Sequence, residues 1–81
     1  MSYYVYIFES LKDKTYYIGS TNNLKDRIER HNAGRVNYTK SRRPWKPAYS
    51  EEHADRSSAA KREAGIKAHK RRGYIEGLIK I

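Results

Sequence analysis

An arginine and a histidine lie on the apolar side of a segment whose pattern predicts a helix over residues 23–33. At about 100° per residue, Arg27 and His31 fall on the stripe formed by the two large aliphatic residues of this helix, and charged residues occupy the opposite side. Either residue alone has an ordinary explanation, because an arginine stem can cover the edge of a core and interior histidines are common. Together, they favour a cleft lined by cations.

A glutamate on a second predicted helix presents the same arrangement with the opposite charge. Glu63 lies near the middle of a face whose other members are small or apolar, Ala59, Ala60 and Ile66. The small alanines let the helix approach its neighbour closely and leave the carboxylate pointing inward. Lys67 follows four residues later, so an ordinary Glu–Lys helix pair explains Glu63 adequately as well.

Cations are concentrated in two stretches of the chain. In the loop predicted over residues 35–46 they alternate with Tyr38 and Trp45, so that cations could neutralise phosphates while aromatic faces stack on exposed bases. The alternative is a solvated basic loop in which Trp45 anchors a core. The second stretch ends the second helix, where a helix C-terminus stabilises cations in any case. The candidate nucleic-acid contacts are Lys40, Arg42, Arg43, Lys46, Lys67, Lys70 and Arg71.

The charge balance of the 81-residue chain is strongly basic, with 18 Lys and Arg residues, 9 Asp and Glu residues and a formal net charge of +9. Such a field attracts polyanions, above all nucleic acid and less often an anionic membrane surface. The alternative is a solvated basic surface. The absence of cysteine excludes disulfides and thiolate metal sites. Since no apolar run could span a bilayer and no secretion signal opens the chain, we expect a cytoplasmic protein without a membrane partner.

Three strands are expected to position these residues. Residues 3–8 are apolar or aromatic on both sides, which predicts a central strand covered on two faces. Residues 15–19 predict a second strand, which pairs most simply with the first as a hairpin. A short third strand near residues 48–51 follows Pro47, and this proline indicates an edge strand or a strand start.

Capping residues and glycines set the expected helix boundaries. A run of capping residues precedes the first helix and Gly34 ends it, while Gly73 is expected to break the second helix. The predicted helices cover residues 23–33, a segment capped by Asp55 or Ser57 that runs to about Lys70, and the amphipathic tail 74–81. The sequence thus predicts an α+β fold of order β-β-α-β-α-α, in a single domain over residues 1–81.

Two short motifs lie on the first two predicted strands. They are Tyr4-Val5-Tyr6 and Tyr17-Ile18-Gly19, with a separation of eleven positions from Tyr6 to Tyr17. With these motifs the sequence resembles the GIY-YIG nuclease superfamily, in particular its small stand-alone bacterial members. The second motif matches the family letter for letter, and the spacing is a usual one.

The likeness covers the whole chain, with two departures. Arg27 and His31 lie on the helix after the second motif, as in the family, and Glu63 stands where its metal-binding glutamate stands. Tyr4 replaces the first glycine of the family motif, a change that a strand accepts. The asparagine that many members have near the end of the domain has no match in residues 70–81, and its absence could weaken substrate positioning or activity.

The resemblance implies a three-stranded antiparallel sheet flanked by helices, and it implies catalytic roles for four residues. Tyr6 is then the candidate general base on the attacking water, and Tyr17 orients this water or the phosphate. A free phenol has a pKa of ~10, so Tyr6 requires a neighbouring cation or base, which Arg27 and His31 could supply. Arg27 could also bind the scissile phosphate through two hydrogen bonds. For both tyrosines, the alternative is packing in the core or the sheet.

Glu63 is the candidate ligand of a single Mg²⁺ or Mn²⁺ ion. Mg²⁺ commonly keeps several waters and uses only one or two protein carboxylates, so water and substrate phosphate could complete its coordination. The metal would act as a Lewis acid and stabilise the leaving group.

These residues lead us to expect a metal-dependent endonuclease that hydrolyses phosphodiester bonds of DNA. So small a surface cannot easily read many bases, which favours a branched or damaged structure over a sequence as the target. One alternative is a binding module for DNA or RNA that kept the fold and lost efficient catalysis, which the missing asparagine favours. A basic RNA- or ribosome-associated accessory protein is a further alternative. We expect DNA rather than RNA as the partner and a monomer, and the sequence leaves a protein partner open.

Overall fold

A three-stranded antiparallel sheet forms the centre of the computed structural model, which describes residues 2–69 and 71–80. Strand β1 is Tyr3–Ser10, β2 is Tyr16–Thr21 and β3 is Trp45–His53, and their order in the sheet is β2-β1-β3. The first strand is therefore central, and it pairs with β2 as a hairpin. These observations confirm the α+β fold class and the antiparallel sheet predicted from the sequence.

The helices of the described residues are α1 Leu24–Asn32, α2 Asn37–Lys40, α3 Arg56–His69 and α4 Arg72–Ile79. The order β-β-α-β-α-α is confirmed, with the single-turn α2 as an addition inside the predicted basic loop. Side-chain caps begin the two longer helices, because Asn23 Oδ1 accepts a hydrogen bond from the Asp26 amide at 3.0 Å and Asp55 Oδ1 accepts one from the Ser58 amide at 2.8 Å. None of the helices in this part of the chain is both long enough and apolar enough to cross a lipid bilayer.

Two predicted boundaries are wrong. Gly73 does not break the second helix: α3 ends at His69, and Gly73 lies in the first turn of α4. Lys70, the predicted last residue of that helix, lies outside the described residues. The third strand is also longer than the predicted residues 48–51, because its backbone pairs with β1 from Trp45 to His53 despite its polar sequence.

The third strand is an edge strand, as its proline indicates. Pro47 pairs with Phe8 and Tyr49 pairs with Ile7, so Ala48 is an extra residue that shifts the register at this point. A proline is tolerated here because an edge strand needs hydrogen bonds on one side only.

The side chains of β1 alternate between the two faces of the sheet and pack into two separate cores. On one face, α3 and α4 cover a core formed by Val5, Ile7, Ala59, Ile66 and Ile75. On the other face, α1 covers a core formed by Tyr6, Phe8 and Trp45, with Tyr17, Leu24 and Ile28 packed against it. The central strand is thus buried on both sides, as its sequence predicts.

Candidate active site

The phenol of Tyr6 is held inside the sheet opposite the glycine of the second motif. Tyr6 is only 1% exposed and pairs with Gly19 across β1 and β2. A β carbon built on Gly19 would lie 2.6 Å from the ring carbon Cζ of Tyr6 and closer still to its hydroxyl oxygen. The glycine is therefore required because the phenol occupies the space of a side chain.

Tyr6 and Tyr17 lie on the same side of the sheet. Residues paired across antiparallel strands point to one face, and the pairs here are Tyr6 with Gly19 and Phe8 with Tyr17. Burial raises the pKa of Tyr6 to about 12, and the Arg27 charge only partly offsets this effect. At neutral pH the phenol is therefore protonated.

Arg27 is the cation that faces this phenol. Its charge lowers the pKa of Tyr6 and also contributes to lowering the pKa values of His31 and Glu63, so it lies within electrostatic range of all three. Its Nε nitrogen is buried and has no hydrogen-bond partner within residues 2–69 and 71–80. Buried N–H groups usually have an acceptor, so this nitrogen is an exception among the described residues.

His31 is buried behind the tyrosines, and its side-chain partner is Thr39. Its ring lies 4.9 Å from that of Tyr17, and its Nδ1 atom is 2.7 Å from the Thr39 hydroxyl oxygen. Burial, assisted by the Arg27 charge, lowers the pKa of His31, which favours the neutral imidazole. Thr39 is fully buried and was missed by the sequence analysis, since no local pattern distinguishes it from the basic residues around it.

Glu63 reaches the edge strand from the α3 side. Ser20 Oγ donates a hydrogen bond to Glu63 Oε1 at 2.7 Å, and Lys67 Nζ donates one to Glu63 Oε2 at 2.6 Å. Burial tends to raise the pKa of Glu63, but these bonds and the charges of Lys67 and Arg27 outweigh it and hold the pKa below its usual value. The carboxylate thus forms the ordinary helix pair with Lys67 and is also hydrogen-bonded to the sheet.

Ser20 was also missed by the sequence analysis, although it directly follows the Tyr17-Ile18-Gly19 motif. It pairs with Val5 and so faces α3, whereas Gly19 faces α1. The edge strand β2 therefore has the tyrosines on one side and Glu63 on the other. A cleft of about 180 Å³ opens beside it and is lined by Tyr3, Ser20, Thr21, Asn22, Arg27 and Arg56.

The predicted basic loop is folded against the first hairpin. Trp45 is only 3% exposed and donates its Nε1–H to the Thr39 carbonyl at 3.0 Å, so the anchoring alternative is correct and its ring cannot stack on a base. Arg42 donates to Asp13 at 2.9 Å, and Lys46 Nζ lies 3.5 Å from Glu9 Oε1.

The other candidate nucleic-acid contacts lie in different parts of the fold. Arg43 Nε donates to the Lys40 carbonyl at 2.9 Å, which joins two of them within the loop. Lys67 is at Glu63, and Arg71 is exposed before α4. Lys70 lies outside the described residues. Of the basic candidates, the structure thus places Lys67 at Glu63 and in a groove that Tyr17 also lines.

The oxygen atoms at Glu63 fit a hard divalent cation. No cluster of three or more histidine, cysteine or acidic side chains suited to a metal occurs within residues 2–69 and 71–80. The Glu63 side chain is nevertheless 22% exposed, its carboxylate lies beside the Ser20 hydroxyl, and one carboxylate is a usual protein contribution to Mg²⁺ binding. Lys67 would have to release Oε2 when a metal binds.

A model of the GIY-YIG catalytic domain matches residues 2–75. The chain belongs to the GIY-YIG family. The resemblance predicted from the sequence is thereby confirmed, and the chain has a nuclease-type catalytic domain. GIY-YIG nucleases generally depend on a metal ion. The individual roles of Tyr6, Tyr17, Arg27, His31 and Glu63 stay predictions.

Similar proteins are found in several bacteria. The UPF0213 protein of Syntrophus aciditrophicus is 47% identical over 79 residues, which are 95% of this chain and 88% of the relative. The UPF0213 protein of Staphylococcus haemolyticus is 44% identical over 75 residues, covering 91% and 90% of the two chains. A solution NMR structure of a UPF0213 protein from Bacillus halodurans has a TM-score of 0.61 and 32% identity, and the match covers 99% of this chain and 84% of that one.

Proposed function

We propose that this protein is a metal-dependent endonuclease that hydrolyses phosphodiester bonds of DNA at branched or otherwise irregular structures. The observation that supports the proposal most strongly is the position of Arg27, which lines the cleft of about 180 Å³ together with Ser20, the hydrogen-bond partner of Glu63. The charge of Arg27 also acts on both Tyr6 and Glu63. A phosphate bound in this cleft would contact Arg27 beside the Ser20–Glu63 pair. The net charge of +9 attracts the polyanionic substrate.

In this proposal, Arg27 binds a non-bridging oxygen of the scissile phosphate, and the phenolate of Tyr6 takes a proton from the attacking water. The water oxygen forms a bond to phosphorus as the bond from phosphorus to the leaving oxygen breaks, and the leaving oxygen takes up a proton from solvent. The competent base is the phenolate, a minor fraction at neutral pH, and Arg27 is the cation that stabilises it. Tyr17 orients the water from the same face of the sheet.

Glu63 holds the metal in this proposal, and Ser20 fixes one oxygen of its carboxylate. The metal, Mg²⁺ or Mn²⁺, supplies Lewis-acid stabilisation of the charge that develops on the leaving oxygen. The negative charge of Glu63 is one of the influences that raise the pKa of Tyr6. A cation that neutralises this charge would therefore lower the pKa of Tyr6. His31 supports the site from behind, through its contact with Tyr17.

The test is a nicking assay with Mg²⁺ or Mn²⁺ on single-stranded, flap, junction and duplex DNAs, with RNA strands of the same sequences in parallel. Wild-type protein should cut at least one of the DNAs. Tyr6→Phe should lower the rate by about 10²–10⁴-fold, as expected for loss of a general base. Glu63→Gln should reduce cutting to the level without metal.

The matched controls are Tyr74→Phe and Glu29→Gln, which lie on α4 and on the exposed side of α1. Both controls should cut at the wild-type rate. Cutting of RNA in place of DNA would exclude the proposed substrate, and unchanged cutting by Tyr6→Phe and Glu63→Gln would exclude the proposed site.

A nucleic-acid-binding module with weak catalysis is the second candidate, and the ion pair at Glu63 favours it. Lys67 Nζ lies 2.6 Å from the carboxylate oxygen that a metal would need. For such a module, salt-sensitive binding of the same DNAs would be retained without cutting in either metal.

A further inference from the structure

An open groove with aromatic walls lies beside the candidate active site. Its volume is about 500 Å³, within the range of roughly 300–1,000 Å³ that is usual for small-molecule pockets. We call it the tyrosine groove, and its lining residues are Tyr16, Tyr17, Ile18, Tyr38 and Lys67. Tyr17 is also a predicted catalytic residue and Lys67 is bonded to Glu63, so the groove adjoins the candidate active site.

Tyr38 is exposed but held on a fixed support. Its side chain is 73% exposed, compared with 48% for Leu11, the other exposed large hydrophobic side chain among the described residues. The next residue, Thr39, is fully buried, bonded to His31 through its hydroxyl and to the Trp45 indole through its carbonyl. The short helix α2 is thus anchored to the core while the Tyr38 ring remains in solvent, an arrangement that suits a contact surface rather than a packing residue.

The rings of Tyr38 and Tyr17 lie close together but do not stack on each other. Their centroids are 5.9 Å apart with an angle of 44° between the ring planes, so they are tilted and not stacked. Tyr16 forms the opposite wall, and Arg72 holds it in place. The Arg72 guanidinium lies 4.7 Å from the centre of the Tyr16 ring and also donates a hydrogen bond to the Lys14 carbonyl at 2.9 Å. The exposed ring of Tyr38 therefore remains available to a flat ligand.

We propose that the tyrosine groove binds an unpaired nucleobase adjacent to the scissile phosphate, so that the protein selects nucleotides outside a duplex. Aromatic side chains bind bases by stacking without regard to sequence, and a cation beside them neutralises the connecting phosphate. Lys67 is that cation: its side chain is 53% exposed, and its ammonium is also paired with Glu63 at 2.6 Å. A paired base cannot enter, because both of its faces are already stacked within the duplex. This inference rests on the proposed function, since it names the part of the DNA that the same site accepts.

The test measures binding in the absence of divalent metal, so that no strand is cut. Single-stranded DNA with 2-aminopurine at one position should lose fluorescence on binding when that position lies in the groove. Tyr38→Ala should abolish this loss and weaken binding at least about fivefold, the lower end of what one stacked base contributes. Tyr38→Phe keeps the ring and should behave as wild type.

Two further substrates separate stacking from a general loss of affinity. An abasic site at the quenched position should bind wild type and Tyr38→Ala equally, and so should an uninterrupted duplex. Equal binding of intact single strands by wild type and Tyr38→Ala would overturn the inference. Sedimentation that shows a dimer dissociated by Tyr38→Ala, with no change in DNA binding, would overturn it in favour of a protein contact.

The two proposals can fail separately. If the protein cuts DNA with the expected dependence on Tyr6 and Glu63 but Tyr38→Ala has no effect on binding, only the groove assignment is wrong. If Tyr38 determines base binding but no DNA is cut, the groove assignment is supported and the endonuclease proposal is wrong.

Discussion

The hydroxyl oxygen of Tyr6 occupies the space where a side chain on Gly19 would begin, across the paired strands β1 and β2. Gly19→Ala would force the β carbon into the phenol, whose ring is fixed by stacking on Phe8 at 4.1 Å between centroids. We expect a loss of about 1–3 kcal/mol in the free energy of unfolding, as for an overpacked core. Nicking should fall together with stability, because Tyr6 must move away from Arg27.

The control for this variant is Gly65→Ala, in the interior of α3. A β carbon there meets no atom within 4 Å, so the substitution should stabilise the protein by about 0.5–1 kcal/mol through helix propensity. Urea unfolding of both variants measures the two effects. Equal stability of Gly19→Ala and wild type would contradict the close contact at Tyr6.

Stability at alkaline pH should depend on Tyr6. Because burial raises its pKa to about 12 from 10.0, the folded protein keeps the phenol proton at pH values where the unfolded chain has lost it. The stabilisation is fully present below about pH 10 and is lost as the pH rises through about 12, a decrease of roughly 2–3 kcal/mol. Urea unfolding at about pH 9.5 and 11.5 should therefore show a smaller decrease for Tyr6→Phe. Equal decreases would argue against a raised pKa.

The contact between His31 and Thr39 should contribute to stability. Thr39→Val removes the hydroxyl that lies 2.7 Å from His31 Nδ1 and leaves a buried nitrogen without its partner, at a cost of about 1–3 kcal/mol. In a His31→Phe background the same substitution leaves no nitrogen unpaired and should cost less by about 1 kcal/mol. A double-mutant cycle by thermal or urea unfolding measures this coupling, and additive effects would refute it.

Lys67 should compete with a metal ion for the Glu63 carboxylate. Removing the ammonium in Lys67→Met should tighten Mn²⁺ binding about two- to fivefold, the effect of losing an ion pair of roughly 0.5–1 kcal/mol. Titration calorimetry or the electron paramagnetic resonance signal of free Mn²⁺ measures the affinity. Lys61→Met removes the same charge from an exposed position on α3 and should have little effect. If both variants bind Mn²⁺ with the same affinity, any increase in affinity over wild type reflects the change in net charge and not competition by Lys67.

The pattern of apolar residues along the chain was enough to predict the order of the elements and the central strand. Strand and helix periodicities are local properties, so the apolar surfaces of β1 and the stripe with Arg27 and His31 could be read without coordinates. The edge strand β3 was predicted too short, because its polar residues alternate weakly and its length follows from backbone pairing with β1. Gly73 was misassigned because an exposed glycine is tolerated in a helix turn.

The amino-acid sequence by itself determined which residue types are available for catalysis and on which elements they lie. Only the tertiary structure decided that Ser20 binds Glu63 over a separation of 43 residues, that Thr39 bonds His31 and that Trp45 is buried while Tyr38 is exposed. Such contacts depend on how the helices and loops pack against the two faces of the sheet. A local periodicity specifies the face on which a residue lies, but the partner that it meets depends on the packing of distant segments.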